Sequence, residues 1–212
     1  MQFDAYNDCY NNHKYQFDWF LMIDIDEFLI IKKKSLKKYL SKSIFNKCDF
    51  IRFHWIIPND NNLLHYDNRT LFERFKGPYI KFPFIKTIIR GSINNLTYSI
   101  HSPSISPKKN ISCNNIGKII KSEKIDYEYF YPINTKQAYI IHYKFKSTEE
   151  YINKYKRGYN NWFGDGYKTW LIDSINAYFK YNKITKEKIN YMEKELKINL
   201  SHFKKYIIPF LL

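Results

Sequence analysis

The segment Trp19-Phe20-Leu21-Met22-Ile23-Asp24-Ile25-Asp26-Glu27-Phe28-Leu29-Ile30 sets three acids inside an otherwise apolar run. Carboxylates in such a run are costly to bury unless something compensates them. A divalent cation is the most direct compensation. If the run is a strand, Asp24 and Asp26 project from one face and Ile25 from the other. Two neighbouring carboxylates repel, and one can have its pKa strongly raised. A cation between them removes that penalty. The competing readings are an acid pair on an edge strand and a helix N-terminus that starts at Asp26.

Composition narrows the class. A chain of 212 residues suffices for one sizeable domain. Aromatic content is 19%, but Asn, Lys, Ile and Tyr are abundant throughout, so this richness is discounted as functional evidence. The net charge of +15 suits an anionic partner: a nucleotide, an anionic membrane face or nucleic acid. Zinc-finger spacing, RNP-like motifs and basic heptads are all lacking, which argues against nucleic acid as the partner. Cys9, Cys48 and Cys113 form no C-x-x-C pair, and their odd number argues against a disulfide framework and for a reducing compartment. The polar start Met1-Gln2-Phe3-Asp4 does not read as a signal peptide, so none is expected, and no apolar stretch approaches the roughly 20 residues of a membrane span. A cytoplasmic protein is expected, with possible peripheral contact at the inner membrane face. The sequons at Asn68, Asn95, Asn110 and Asn199 are read as chance in an Asn-rich chain.

Periodicity predicts strands over 16–23, 28–31, 48–57, 79–90, 96–101 and 137–145. Helices are expected after the cap Ser35, after the capping box Ser147-Thr148-Glu149-Glu150, after Asp165-Gly166 and from Thr185. Arg157-Gly158 is a natural helix end. The stretch 108–132 reads as loop with short elements. The prediction is an α/β domain, with residues 1–146 as its core and 147–212 as a helical C-terminal extension of the same domain.

Asp24, Asp26 and Glu27 are hard oxygen ligands suited to Mg²⁺ or Mn²⁺. An added histidine would tilt the preference to Mn²⁺. The candidates are His142, ending the last strand, and His101, before Ser102-Pro103. Lys86 and Arg90 share one face of a β-run and could meet phosphate, as could Lys144 and Lys146. A solvated strand face is the alternative for the first pair. For a carboxylate base the candidates are Asp165, otherwise a helix cap, and Glu73, otherwise the partner of a nearby Arg.

Several of these segments resemble the glycosyltransferase family 2-like and family 92 group, metal-dependent enzymes of the GT-A fold. Trp19 to Leu29 is similar to that group's W-x4-D-x-D-E-F-L pattern. Ala5 to Cys9 resembles the segment upstream of it. Lys86-Thr87-Ile88-Ile89-Arg90 with His101-Ser102-Pro103 resembles its K-S-I-V-R block and downstream H-x-P. Ile141-His142-Tyr143, Lys146-Ser147 and Lys154 to Gly158 resemble its closing block, and the order of blocks agrees. The resemblance implies a partial GT-A-like mixed sheet of the kind found in bacterial surface-polysaccharide enzymes. It implies a hexose moved from a nucleotide sugar to a glycan or lipid-linked acceptor. Asp24 and Asp26 would hold the metal and donor diphosphate. His142, with His101 as alternative, would complete the metal site, and Lys86, Arg90 and Lys146 would line the diphosphate.

One departure matters. In GT-A enzymes the nucleotide-binding βα units precede the acid motif, whereas Asp24 stands near the start of this chain. The expectation is therefore the metal and acceptor side of such an enzyme, without most of the nucleotide pocket and inactive alone. A non-catalytic module binding glycan or an anionic membrane is the competing class.

Overall fold

The computed structural model describes residues 2–32, 34–98, 101–105, 110–120, 130–157, 165–197 and 200. They form an α/β architecture, as expected, and divide into two compact units. One comprises Met1–Ile56 and Lys81–His142, the other Ile57–Ile80 and Tyr143–Leu212.

The first unit holds a mixed sheet. Its strands are β1 (Trp19–Leu21), β2 (Glu27–Ile31), β3 (Phe50–Pro58), β4 (Tyr79–Arg90), β7 (Ser112–Asn114) and β8 (Ala138–His142). The order is β1-β4-β3-β8-β2, with β7 also paired to β3. β1 runs antiparallel to β4 and β2 antiparallel to β8, while β3 runs parallel to both β7 and β8. β3 is buried at every position, which explains its near-continuous apolar sequence. Its two polar residues are satisfied internally. Arg52 donates to the hydroxyls of Ser102 and Ser112, and both ring nitrogens of His54 meet backbone carbonyls, those of Phe130 and Asn134. The strand expected over 96–101 shortens to β5 (Leu96–Thr97), which pairs with β6 (Ser104–Ile105).

Helix α1 (Gln2–His13) was not evident from periodicity, because its apolar face is made of tyrosines set in a polar segment. Tyr10 is fully buried against Phe20, Phe50, Ile89, Leu96 and Tyr98, and Tyr6 packs on that cluster. The Tyr10 hydroxyl donates to the Arg90 carbonyl at 2.9 Å. Gly91 permits the close turn beneath: a Cβ there would lie 2.0 Å from the Phe17 carbonyl oxygen. Helix α2 (Leu36–Leu40) is capped by Ser35, whose hydroxyl accepts from the Lys38 N–H.

The cysteine reading is corrected here. Cys48 and Cys113 form a disulfide, and Cys9 stays free and exposed. The two lie 65 residues apart in sequence, and the parallel register Phe50↔Ser112 and Ile51↔Cys113 brings their backbones together. The spacing alone carries no trace of this. The argument from cysteine usage to a reducing compartment therefore falls.

The second unit contains α3 (Leu71–Arg74), α4 (Thr148–Lys156), α5 (Asp165–Tyr181) and α6 (Lys186–Leu196). The capping box at Ser147 and the cap at Thr185 form as read. Gly158 lies outside the described residues. Asp60 is fully buried, and its carboxylate accepts from the Tyr178 hydroxyl and the Lys188 ammonium. Buried Arg74 makes a two-pronged pair with Glu150, at 2.6 and 3.1 Å. Burial pushes the Glu150 carboxyl up, but the hydrogen bonds from Arg74 and Ser147 outweigh it and hold the group below its usual range. A depressed folded-state pKa stabilises the fold above the unfolded value, about 4.3, and that contribution is lost as pH falls below it. Glu150→Gln should therefore lower stability by about 2 kcal/mol at pH 7. It should also flatten the fall in stability below about pH 4.5, read by urea titration at a series of pH values. An equal acid slope in both proteins would refute the assignment.

No described helix is long and apolar enough to cross a membrane.

Candidate functional site

Asp24 and Asp26 do not lie in a strand, whereas Glu27 is the first residue of β2. β1 ends at Leu21 and β2 begins at Glu27, so residues 22–26 form the link from one end of the strand order to the other. The link ends in a tight turn in which the Glu27 N–H donates to the Asp24 carbonyl at 3.0 Å. The Glu27 side chain folds back to accept from the Asp24 N–H at 3.2 Å. Ile25 is 97% exposed, and the acids on either side of it face the protein. The turn resolves part of the conflict read in the sequence: Asp24 and Asp26 leave the sheet, while Glu27 stays in it at the first position of β2.

The compensation for the acids is partly internal. Lys86, on β4, is buried, and its ammonium lies 3.2 Å from both Asp24 Oδ2 and Glu27 Oε2. Lys86 is thus not on a solvated strand face. Asp24 also accepts from Gln2 Nε2 at 2.9 Å and from the Tyr6 hydroxyl at 3.3 Å. Burial pushes the Asp24 carboxyl up, but Lys86 and these donors hold it below its ordinary value. Glu27 has no exposed side-chain surface. Its burial, only partly offset by Lys86, pushes its carboxyl up to about 7.

His142 pairs with Glu27 in the β2–β8 register. Its Nε2 lies 3.7 Å from Asp26 Oδ1 and its Nδ1 3.7 Å from Glu27 Oε1. Glu27 Oε1 is buried and receives no hydrogen bond. Among the described residues, no three His, Cys, Asp or Glu side chains form a closed metal cage. An open site is another matter. Ligands about 2.1 Å from a small hard cation stand about 3 Å apart when adjacent, so Asp26 Oδ1 and His142 Nε2, 3.7 Å apart, would close by about 0.7 Å to share one. Such cations are commonly held by one or two protein ligands plus substrate phosphate and water. The donor set fits this pattern.

The structure does not bring every candidate to this cluster. His101 stands beside it through rings, 5.2 Å from Trp55, which itself contacts His142. Arg90 is four residues along β4 from Lys86, about 13 Å. Its guanidinium donates to the carbonyls of Cys48, Phe45 and Asn46 and stacks on Trp19. Lys146 belongs to the second unit, in a left-handed conformation (φ 55°) before the cap Ser147. Glu73 closes a capping box on Thr70, whose hydrogen bonds hold its carboxyl below the usual range. Asp165 opens α5, and its side chain is outside the described residues.

Compared with known families, residues 1–200 match the model of glycosyltransferase family 92. The chain belongs to glycosyltransferase family 92. No curated protein matches it. Family 92 membership makes the protein a glycosyltransferase, with a nucleotide-sugar donor and a glycan acceptor in general terms. In this family 92 chain the acids, Lys86 and His142 assemble in one place. Three contributors escaped the sequence reading: Gln2 and Tyr6, four apart on one face of α1, and the ring of Trp55. The i, i+4 spacing of Gln2 and Tyr6 was the available signal for the first two.

Proposed function

We propose that this chain transfers a hexose from a nucleoside-diphosphate sugar to a glycan or lipid-linked acceptor, using Mn²⁺ or Mg²⁺ at the acid turn of a GT-A-type sheet. The observation that carries this is the convergence of Asp24, Asp26, Glu27, Lys86 and His142 in a family 92 chain. Asp26 and His142 would hold the cation, with Asp24 beside them. The cation supplies charge neutralisation for the departing diphosphate. Lys86 fixes Asp24 and Glu27 in place and adds positive charge beneath the same position. The net charge of +15 draws in an anionic donor. Of the two base candidates Glu73 is disfavoured, because its carboxylate closes a helix cap and is weakened as a proton acceptor.

Calorimetry with a panel of nucleoside diphosphates tests this reading. Binding should require Mn²⁺ or Mg²⁺. It should weaken at least about tenfold in Asp26→Ala, since even the partners behind a metal ligand are worth about 10–100-fold. A folded chain that binds no nucleotide, or one indifferent to Asp26→Ala, would sink it.

A further inference from the structure

Beside the acid turn the first unit carries a run of rings that the chemistry above does not use. Phe82, Phe84 and Lys86 recur at every second residue of β4 and so share a face of the strand. Lys86 reaches the acids. Phe84 stacks on Trp55 of β3, with centroids 5.4 Å apart and planes 29° apart, and lies 6.5 Å from Phe82. His101 closes on both Trp55 and Phe84, at 5.2 and 6.0 Å. Trp55 meets the His142 ring edge-on at 4.4 Å, and His142 faces Asp26. The rings are therefore continuous with the charged cluster. Trp55 is buried beneath, whereas Phe82, Phe84 and His101 each keep part of their surface in solvent. The Trp55 indole N–H is buried and meets no acceptor among the described residues.

We propose that Phe84, flanked by Phe82 and His101 and backed by Trp55, is the platform on which the acceptor's pyranose ring stacks, with its reacting hydroxyl toward Asp26 and His142. The inference rests on the glycosyl-transfer reading and adds where the acceptor lies. A pyranose has a C–H face that packs on an aromatic ring and a rim of hydroxyls that needs polar partners. This surface offers both along neighbouring strands: partly exposed rings on β4, then, past Trp55 of β3, the carboxylates and the imidazole of His142 on β8, which accept from hydroxyls. A nucleobase is also flat. Its edge, however, calls for a matched set of donors and acceptors, whereas the described polar neighbours of these rings are mainly acids and imidazoles.

Saturation-transfer NMR on the full chain tests the platform, without cation or nucleotide. The probes are methyl β-galactoside, methyl β-glucoside and methyl α-mannoside, with uridine as the flat aromatic control. At least one pyranoside should receive saturation, strongest on one ring face. Phe84→Ala should weaken its binding about tenfold while Phe84→Tyr retains it. Thermal unfolding reports whether each variant is folded. If Phe84→Ala does not fold, Phe82→Ala, at the end of the ring run, should show a weakening in the same direction. Saturation of uridine alone, no pyranoside signal, or pyranoside binding unchanged in the folded variants would each overturn the proposal. Because donor and cation are absent, these outcomes are separate from the calorimetric test: pyranoside binding can persist where nucleotide binding fails, and the reverse.

Discussion

Replacing Lys86 with methionine should lower the stability of the protein by about 3–5 kcal/mol, the usual consequence of removing one partner from a buried ion pair. The Lys86 side chain is 1% exposed and that of Glu27 0%, so the Glu27 carboxyl left behind must take up a proton to stay buried. Asp24, at 33%, can rehydrate, which places most of the effect on Glu27. That asymmetry makes the prediction specific. Glu27→Gln in the Lys86→Met background should restore a large part of the loss, because the double variant buries no uncompensated charge. Asp24→Asn in the same background should restore less. Urea unfolding of the four proteins in the Lys86–Glu27 cycle measures the coupling directly. If Lys86→Met is within about 0.5 kcal/mol of wild type, or if Glu27→Gln gives no rescue, the ammonium is not the internal counter-ion of the acid turn. The result also bears on function. A cluster already half neutralised by a fixed lysine needs less from a bound cation to hold its shape, so the cation is free to serve the diphosphate.

The acid run was legible because it violates burial: three carboxylates among Trp19, Phe20, Leu21, Phe28 and Leu29 demand compensation, and the sequence alone says so. What it could not say was the kind of compensation. Lys86 is 62 residues from Asp24 in sequence, and only the strand order β1-β4-β3-β8-β2 places β4 and β8 between the two ends of the acid link. The shared strand face that Asp24 and Asp26 would have had in a continuous strand does not form, for a related reason. A period-two argument holds only while the chain stays in the sheet, and here it leaves at Met22. Local signals fared better. Ser35, Ser147 and Thr185 each cap the helix that follows, because a cap needs only its next three residues. The span of β4 was read residue for residue from its apolar run and bounding turns. His142 was placed correctly at the end of a strand, but its alignment with Glu27 is a property of pairing, not of sequence distance.

The disulfide gives the second large effect. Closing a loop between residues 65 apart removes denatured-chain entropy worth about 4 kcal/mol in the chain-entropy account. Cys48 and Cys113 are both fully buried; Cys48 lies two residues before β3 and Cys113 within β7, where three residue pairs hold the parallel ladder. Reduction should therefore loosen that edge first. With a urea slope of about 2 kcal/mol per molar, the unfolding midpoint should fall by about 2 M on reduction, or in the Cys48→Ser/Cys113→Ser protein. Cys9→Ser, at an exposed helix position, should leave the midpoint unchanged. Peptide mapping without reductant should recover Cys48 and Cys113 in one linked fragment. Equal midpoints with and without reductant, or a mapped pairing that includes Cys9, would refute the assignment. A confirmed bridge of this size means that the chain reaches its full stability only where thiols are oxidised, so expression in an oxidising compartment should raise the yield of folded protein over expression in a reducing one.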